Sequence, residues 1–130
     1  MINNKIKIDP NLSLAVKIFD KNKIFYWICH GTLLGIIRDK KLIEWDHDID
    51  IAVWQHDNKR KLIIDTMFKN NFKIKKKFMA SEDLLTFTRY GGREVDINFY
   101  QIRKKNYKKI AYSNWYIPKN LFMKLIDALS

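Results

Sequence analysis

The run Asp48-Ile49-Asp50-Ile51 places two carboxylates two residues apart in an apolar stretch. In a strand, Asp48 and Asp50 share one face while Ile49 and Ile51 turn to the other, into a core. Two carboxylates so placed stand about 6.6 Å apart along the strand. At an effective dielectric of about 20 they repel by roughly 2.5 kcal/mol, and Asp46 adds to this from nearby. A divalent cation held between the oxygens removes that cost and turns it into binding. A second acid follows the same logic: in Val95-Asp96-Ile97-Asn98-Phe99-Tyr100, the apolar residues share one face and Asp96, Asn98 and Tyr100 the other. An acid between β-branched residues of a central strand is costly unless compensated. If the two strands are neighbours, Asp96 completes a three-carboxylate site.

Ahead of the acids, Gly31 and Thr32 closely follow an apolar run, Ile24 to Cys29. Glycine lets the backbone approach a ligand, and a helix beginning here presents N–H groups to a phosphate. The plainer alternative is an ordinary strand-to-helix turn with Thr32 as N-cap. Arg38 suits a bidentate phosphate contact, or equally a surface pair with Asp39 or Asp46. Asp46 orients a ligand, or simply caps the turn before the strand.

Positioning these groups requires a mixed central sheet flanked by helices, an α/β (α+β) fold. Asp9-Pro10 and the spacing of Leu12, Ala15, Val16 and Phe19 predict a helix over residues 10–22. Strands are expected at 24–29, 48–54, 72–79 and 84–90, and a short helix at 32–38. Leu62, Ile63, Met67 and Phe68 suggest one long helix over 56–71. Gly91-Gly92 signals a hairpin into a returning strand over 93–102. Arg103-Lys104-Lys105 reads as a basic turn, residues 110–117 as an edge strand and 118–129 as a last helix.

A chain of 130 residues with 47% hydrophobic content bounds this to one globular domain rather than a disordered segment. The single cysteine, Cys29, excludes a disulfide framework and suggests a cytoplasmic setting. Charges interrupt every apolar run of the N-terminus, so it does not read as a signal peptide, and no stretch reaches the roughly 20 apolar residues of a membrane span. Peripheral membrane contact stays open. A net charge of +11 suits nucleic acid, an anionic surface or anionic nucleotides. Lysine greatly outnumbers arginine, which disfavours evolved nucleic-acid readout.

The order Gly-Thr, spacer, Asp-x-Asp strand, then a lone Asp on a later strand resembles the polymerase β-like nucleotidyltransferase superfamily. The finer wording HGTLLGIIRDKKLIEWDHDIDI is similar to the LicD/fukutin-type phosphotransferases. Gly31, Thr32, Leu33, Leu34, Gly35, Arg38, Trp45, Asp46, Asp48, Ile49 and Asp50 carry the match, with Asp96 as the later acid. Glu44 stands where that family often has proline, and His47 replaces one acid of its run. The family usually continues past the third acid into an acceptor-shaping region, which is expected to be largely missing here.

The resemblance implies a minimal nucleotidyltransferase fold over residues 1–130. It implies Asp48, Asp50 and Asp96 as catalytic and metal-ligating residues, with two Mg²⁺ ions, and Gly31, Thr32, Arg38 and Asp46 as substrate-binding residues. The implied donor is CDP-linked, for example CDP-choline, and the implied acceptor is a hydroxyl of a cell-surface glycan. Two rivals stand beside it: a small nucleotidyltransferase acting on an antibiotic, a protein or tRNA, and a non-catalytic nucleotide-binding domain.

Overall fold

Alternation of Ile and Val with polar residues builds the centre of the molecule. The computed structural model describes residues 8–39, 47–76, 81–105 and 108–112. Its elements run α1 (Pro10–Lys21), β1 (Trp27–Ile28), α2 (His30–Asp39), β2 (Asp48–Trp54), α3 (Arg60–Lys69), β3 (Lys73–Lys75), β4 (Leu84–Thr88), β5 (Glu94–Lys105) and β6 (Lys108–Tyr112). The sheet order is β1-β2-β5-β4-β3, and β6 pairs with the far half of β5. Among the described residues β2 and β5 pair in parallel and the other pairings are antiparallel. The α/β (α+β) expectation therefore holds, as a mixed sheet with helices against it.

One face of the sheet is the core. Ile49, Ile51 and Val53 of β2, Val95, Ile97 and Phe99 of β5, and Leu85 and Phe87 of β4 lie buried there. Ala15, Ile18 and Phe19 of α1 and Ile63 and Met67 of α3 close over them in the same cluster. Burying a side chain of this size is worth about 1.5–3 kcal/mol, so this face fixes the register of both central strands.

Helix α1 starts as the sequence predicts. The Asp9 carboxylate accepts from the backbone N–H groups of Asn11 and Leu12, and Pro10 opens the first turn. Asn11 then ties the helix to the β4–β5 hairpin: its side-chain amide donates to the carbonyls of Arg89 and Arg93, each at 2.9 Å. Gly91, at φ +97°, turns the chain there. Gly92 backs onto Asn11, where an added Cβ would stand 2.6 Å from the Asn11 Cγ.

Several expectations change; the strand expected over 72–79 runs Lys73–Lys75 within the described residues. The helix expected over 56–71 is a short 3-10 turn, Gln55–Asp57, followed by α3. Asn58 takes a left-handed conformation (φ 53°) between them, which ends one helical path and begins another. The strand expected over 24–29 shortens to Trp27–Ile28. Arg103-Lys104-Lys105 is not a turn but the end of β5, because β6 supplies backbone partners as far as Lys105 opposite Lys108. The helix expected over 118–129 and the end of the strand expected over 110–117 lie outside the described residues.

Candidate active site

The parallel pairing of β2 with β5 sets Asp50 directly opposite Asp96, and Asp48 opposite Glu94. Neighbouring strands lie about 4.8 Å apart, so the Asp50 and Asp96 side chains leave the sheet side by side. Both project from the face opposite the core, since the residues flanking them, Ile49, Ile51, Val95 and Ile97, are fully buried on the other. Asp48 lies one pleat back along β2. Asp96 is nearly buried (5% exposed), which differs from the open polar face that alternation alone suggests.

Two threonines hold the acids in place. The Thr86 hydroxyl, on β4 directly opposite Asp96, donates to the Asp96 carboxylate Oδ1 at 2.6 Å. A charge-assisted bond of that kind anchors one carboxylate oxygen. Thr32 acts on the backbone instead. Its hydroxyl accepts from the Asp50 N–H at 2.8 Å and reaches the Asp48 carbonyl at 3.5 Å. Thr32 is 1% exposed, so its side chain clamps α2 to β2, while Gly31 and Thr32 together occupy the first turn of α2. The Cys29 N–H adds a further bond to the Asp50 carbonyl at 3.1 Å. Helix N-terminus and acid strand are thereby one unit.

Around the pair sit groups whose ionisation it shapes. Cys29 is pushed up to about 12, first by burial and then by Asp50 and Asp96, so it is a neutral thiol at neutral pH. Burial lowers the His30 imidazole, and Asp96 partly opposes this. The Tyr100 phenol is raised by burial, then by Cys29 and Asp50. His30 adopts φ +53° at the start of α2, and its Nε2 lies 3.2 Å from the Tyr100 hydroxyl. The Asn98 amide donates to the Ile51 carbonyl at 3.3 Å, bracing β5 against β2 beneath Cys29.

Beside Asp48 a cleft of about 610 Å³ opens, lined by His47, Asp48, Lys75, Gly92, Arg93 and Glu94. Lys75 bonds to Glu94, and the Arg93 guanidinium Nε stands 4.0 Å from Asp9. Arg38 is exposed in the last turn of α2, about 10 Å along the helix axis from Gly31. Asp46 and Trp45 lie outside the described residues.

Among the described residues no three His, Cys, Asp or Glu side chains form a ready-made metal cage. Mg²⁺ does not ask for one: it binds through one or two carboxylates and completes its shell with waters and substrate phosphates. The adjacent Asp50 and Asp96 carboxylates suit that mode, with Asp48 next in line.

The sequence profile of the LicD/FKTN/FKRP nucleotidyltransferase domain matches residues 23–127. The chain belongs to this family. Within it, the LicD-type domain is 30% identical over 107 residues to an uncharacterized protein, RT0683, of Rickettsia typhi, covering 82% of this chain and 32% of that protein. It is 29% identical over 90 residues to the human ribitol-5-phosphate transferase FKTN, covering 68% of this chain and 19% of FKTN. The chain thus spans a third or less of these relatives. Two solved structures share its fold, a lincosamide antibiotic adenylyltransferase and an antibiotic-resistance factor. The lincosamide adenylyltransferase LnuA superposes with a TM-score of 0.56 at 16% identity, over 85% of this chain and 72% of LnuA. ANT(2'')-Ia gives 0.54 at 11% identity, over 77% of this chain and 49% of its own. The LicD-type chain therefore carries the nucleotidyltransferase fold.

Residue types and spacing single out Asp48, Asp50, Asp96, Gly31 and Thr32; the structure sets Asp50 opposite Asp96 and ties Thr32 to the Asp50 backbone, while Asp48 stands one pleat away opposite Glu94 and no three-carboxylate cluster forms among the described residues. They do not single out Thr86, which looks like any β-branched strand residue until its register opposite Asp96 is known. His30 stands next to Gly31 in the sequence, but its contact with Tyr100 joins the start of α2 to a strand residue seventy positions on.

Proposed function

We propose that this domain is a Mg²⁺-dependent transferase that moves a phosphate-linked group from a nucleotide-activated donor to a hydroxyl of a glycan. The observation that carries the reading is the register of Asp50 opposite Asp96, clamped by Thr32 to the first turn of a helix. Asp50 and Asp96 would hold Mg²⁺, with Asp48 able to share a second ion. Bound there, the metal would neutralise phosphate charge and favour departure of the leaving oxygen.

The chain's own groups supply the rest. Backbone N–H groups of the first turn of α2, at Gly31 and Thr32, receive a donor phosphate. The acceptor oxygen attacks the phosphorus of the transferred group, forming a P–O bond as the bond to the nucleoside monophosphate breaks. The acceptor proton leaves to solvent, since the Thr86 bond to Oδ1 leaves Asp96 only Oδ2, the oxygen that would face the ion. With CDP-choline as donor, phosphocholine is transferred and CMP leaves. The kinship with FKTN adds ribitol 5-phosphate as a second transferable group. Both are phosphate esters of small alcohols.

The test is incubation with Mg²⁺, a glycan acceptor, and either CDP-choline or each nucleoside triphosphate, following release of CMP or pyrophosphate. CMP release is expected, falling at least about a hundredfold in Asp50→Ala and in Asp96→Ala. Pyrophosphate release instead would assign nucleotidyl transfer, the chemistry named for LnuA. Activity undiminished in both variants would overturn the site.

A further inference from the structure

Beyond the acids, the same face of β2 and β5 changes character. Four residues on from Asp50 stands Trp54, and four on from Asp96 stands Tyr100; these two are register partners. Four residues of strand are about 13 Å. Trp27 of β1, opposite Ala52, joins them from the side. The Trp27 ring packs against both, its centroid 4.7 Å from Trp54 and 5.4 Å from Tyr100. All three are partly exposed. His56 lies nearly parallel on Trp54, at 25° and 5.5 Å, and its own side chain is 57% exposed. The Tyr100 hydroxyl lies 3.2 Å from His30 Nε2 at the start of α2, which links the strip to the helix whose first turn holds Gly31 and Thr32.

We propose that this aromatic strip is the subsite for the planar base of the nucleotide donor. The inference rests on the transferase reading above and extends it. Trp27, Trp54 and Tyr100 carry no formal charge at neutral pH, so the strip is not built for phosphates, which the acids' metal and the first turn of α2 receive. What it offers is ring surface bounded by polar tips, the Tyr100 hydroxyl and the imidazoles of His30 and His56. A flat heteroaromatic ring with hydrogen-bonding edges needs both: stacking tolerates any base, and the tips supply edge contacts. The raised Tyr100 phenol, which feels Asp50, places the inner end of the strip within electrostatic reach of the acids.

The experiment is calorimetric titration of the full chain, in saturating Mg²⁺, with two probes: CDP and inorganic pyrophosphate. Wild type is expected to bind CDP at least about tenfold more tightly than pyrophosphate, the scale of one base-stacking contact. Trp54→Leu, which keeps apolar bulk, should lose about tenfold in CDP affinity and leave pyrophosphate binding unchanged. Should circular dichroism show that variant unfolded, His56→Ala at the exposed end of the stack takes its place, with a loss of about threefold for CDP alone. Equal affinity of wild type for the two probes, or CDP affinity untouched in the folded variant, would overturn the subsite while leaving the phosphate site standing. Binding of neither probe would overturn the subsite together with the transferase reading. UDP, ADP and GDP in the same titration rank the bases.

Discussion

On the proposed reading Asp96 would owe its usefulness to a neighbour that has no chemistry of its own. A nearly buried carboxylate with one oxygen anchored by the Thr86 hydroxyl presents the other in a fixed direction. Removing a group that orients a ligand typically costs ten- to a hundredfold in metal affinity or activity. Thr86→Val keeps the shape and deletes the donor, so Mn²⁺ affinity measured by electron paramagnetic resonance should fall about tenfold, and Thr86→Ser should restore it. Equal behaviour of the two variants would make Thr86 a packing residue. Cys29 gives a pH prediction at the same scale. Its thiol rises from an ordinary 9.0 to about 12 in the fold, so between those values the unfolded chain has lost a proton that the native chain keeps. Folding stability must then drop as pH rises above 9 and show no contribution from this group below it, by at most about 1.4 kcal/mol per pH unit. Urea titrations from pH 8 to 11 should give a shallower alkaline decline for Cys29→Ala than for wild type.

At the scale of elements, the acid strand is held from both sides, and the two supports were not equally legible. The strand itself was. Alternation in Asp48–Trp54 and in Val95–Phe99 survives because one face must be buried, and a slip of one residue would bring Asp48, Asp50 and Asp96 into the core. Gly91-Gly92 likewise announced the hairpin. What alternation cannot give is which strands meet. The pairing of Asp50 with Asp96 crosses 45 intervening residues, and nothing local in either strand specifies it. Lys-rich Arg103–Lys105 misled for the converse reason: ladder bonds to β6 outweigh its turn-like composition. Asn58, read as helix interior, breaks the helix by taking a left-handed conformation. Nor did the sequence reveal that Asn11, within the first turn of α1, fastens the hairpin leading into β5. Its fully buried amide serves two carbonyls there. Asn11→Ala leaves both without that donor at a cost of about 1–3 kcal/mol per buried group, so urea unfolding should show a loss of about 2–4 kcal/mol. Gly92→Ala, which drives a methyl into Asn11, should cost a comparable amount and lower thermal stability in the same direction. Losses below half a kcal/mol in both would show that α1 and the hairpin do not depend on each other.

For the molecule as a whole, net charge and site charge have opposite signs. The chain carries +11, yet its central parallel strands present Asp48, Asp50 and Asp96 along one face. On the proposed reading the surplus would draw in anionic nucleotides from a distance, an effect salt screens within about 10 Å at 0.1 M. On the same reading the acids would need a cation before a phosphate could settle beside them. At the roughly 4.8 Å spacing of neighbouring strands, the Asp50 and Asp96 charges oppose each other by up to about 3 kcal/mol at an effective dielectric of 20. That opposition lies in the middle of the sheet, so it weighs on the folding of the entire domain. Two consequences follow for unfolding. Mg²⁺ at ten times its dissociation constant should stabilise the wild-type chain by about 1.4 kcal/mol, a rise in Tm of about 3–6 °C for a domain of this size. Asp50→Asn, which keeps the volume and removes one charge, should unfold no lower than wild type without metal and should no longer respond to Mg²⁺. An ordinary solvated aspartate would do neither. Scanning calorimetry of the two chains with and without Mg²⁺ decides it: a wild-type Tm indifferent to Mg²⁺, or a variant that shifts as far as wild type, would mean that these carboxylates do not hold the ion.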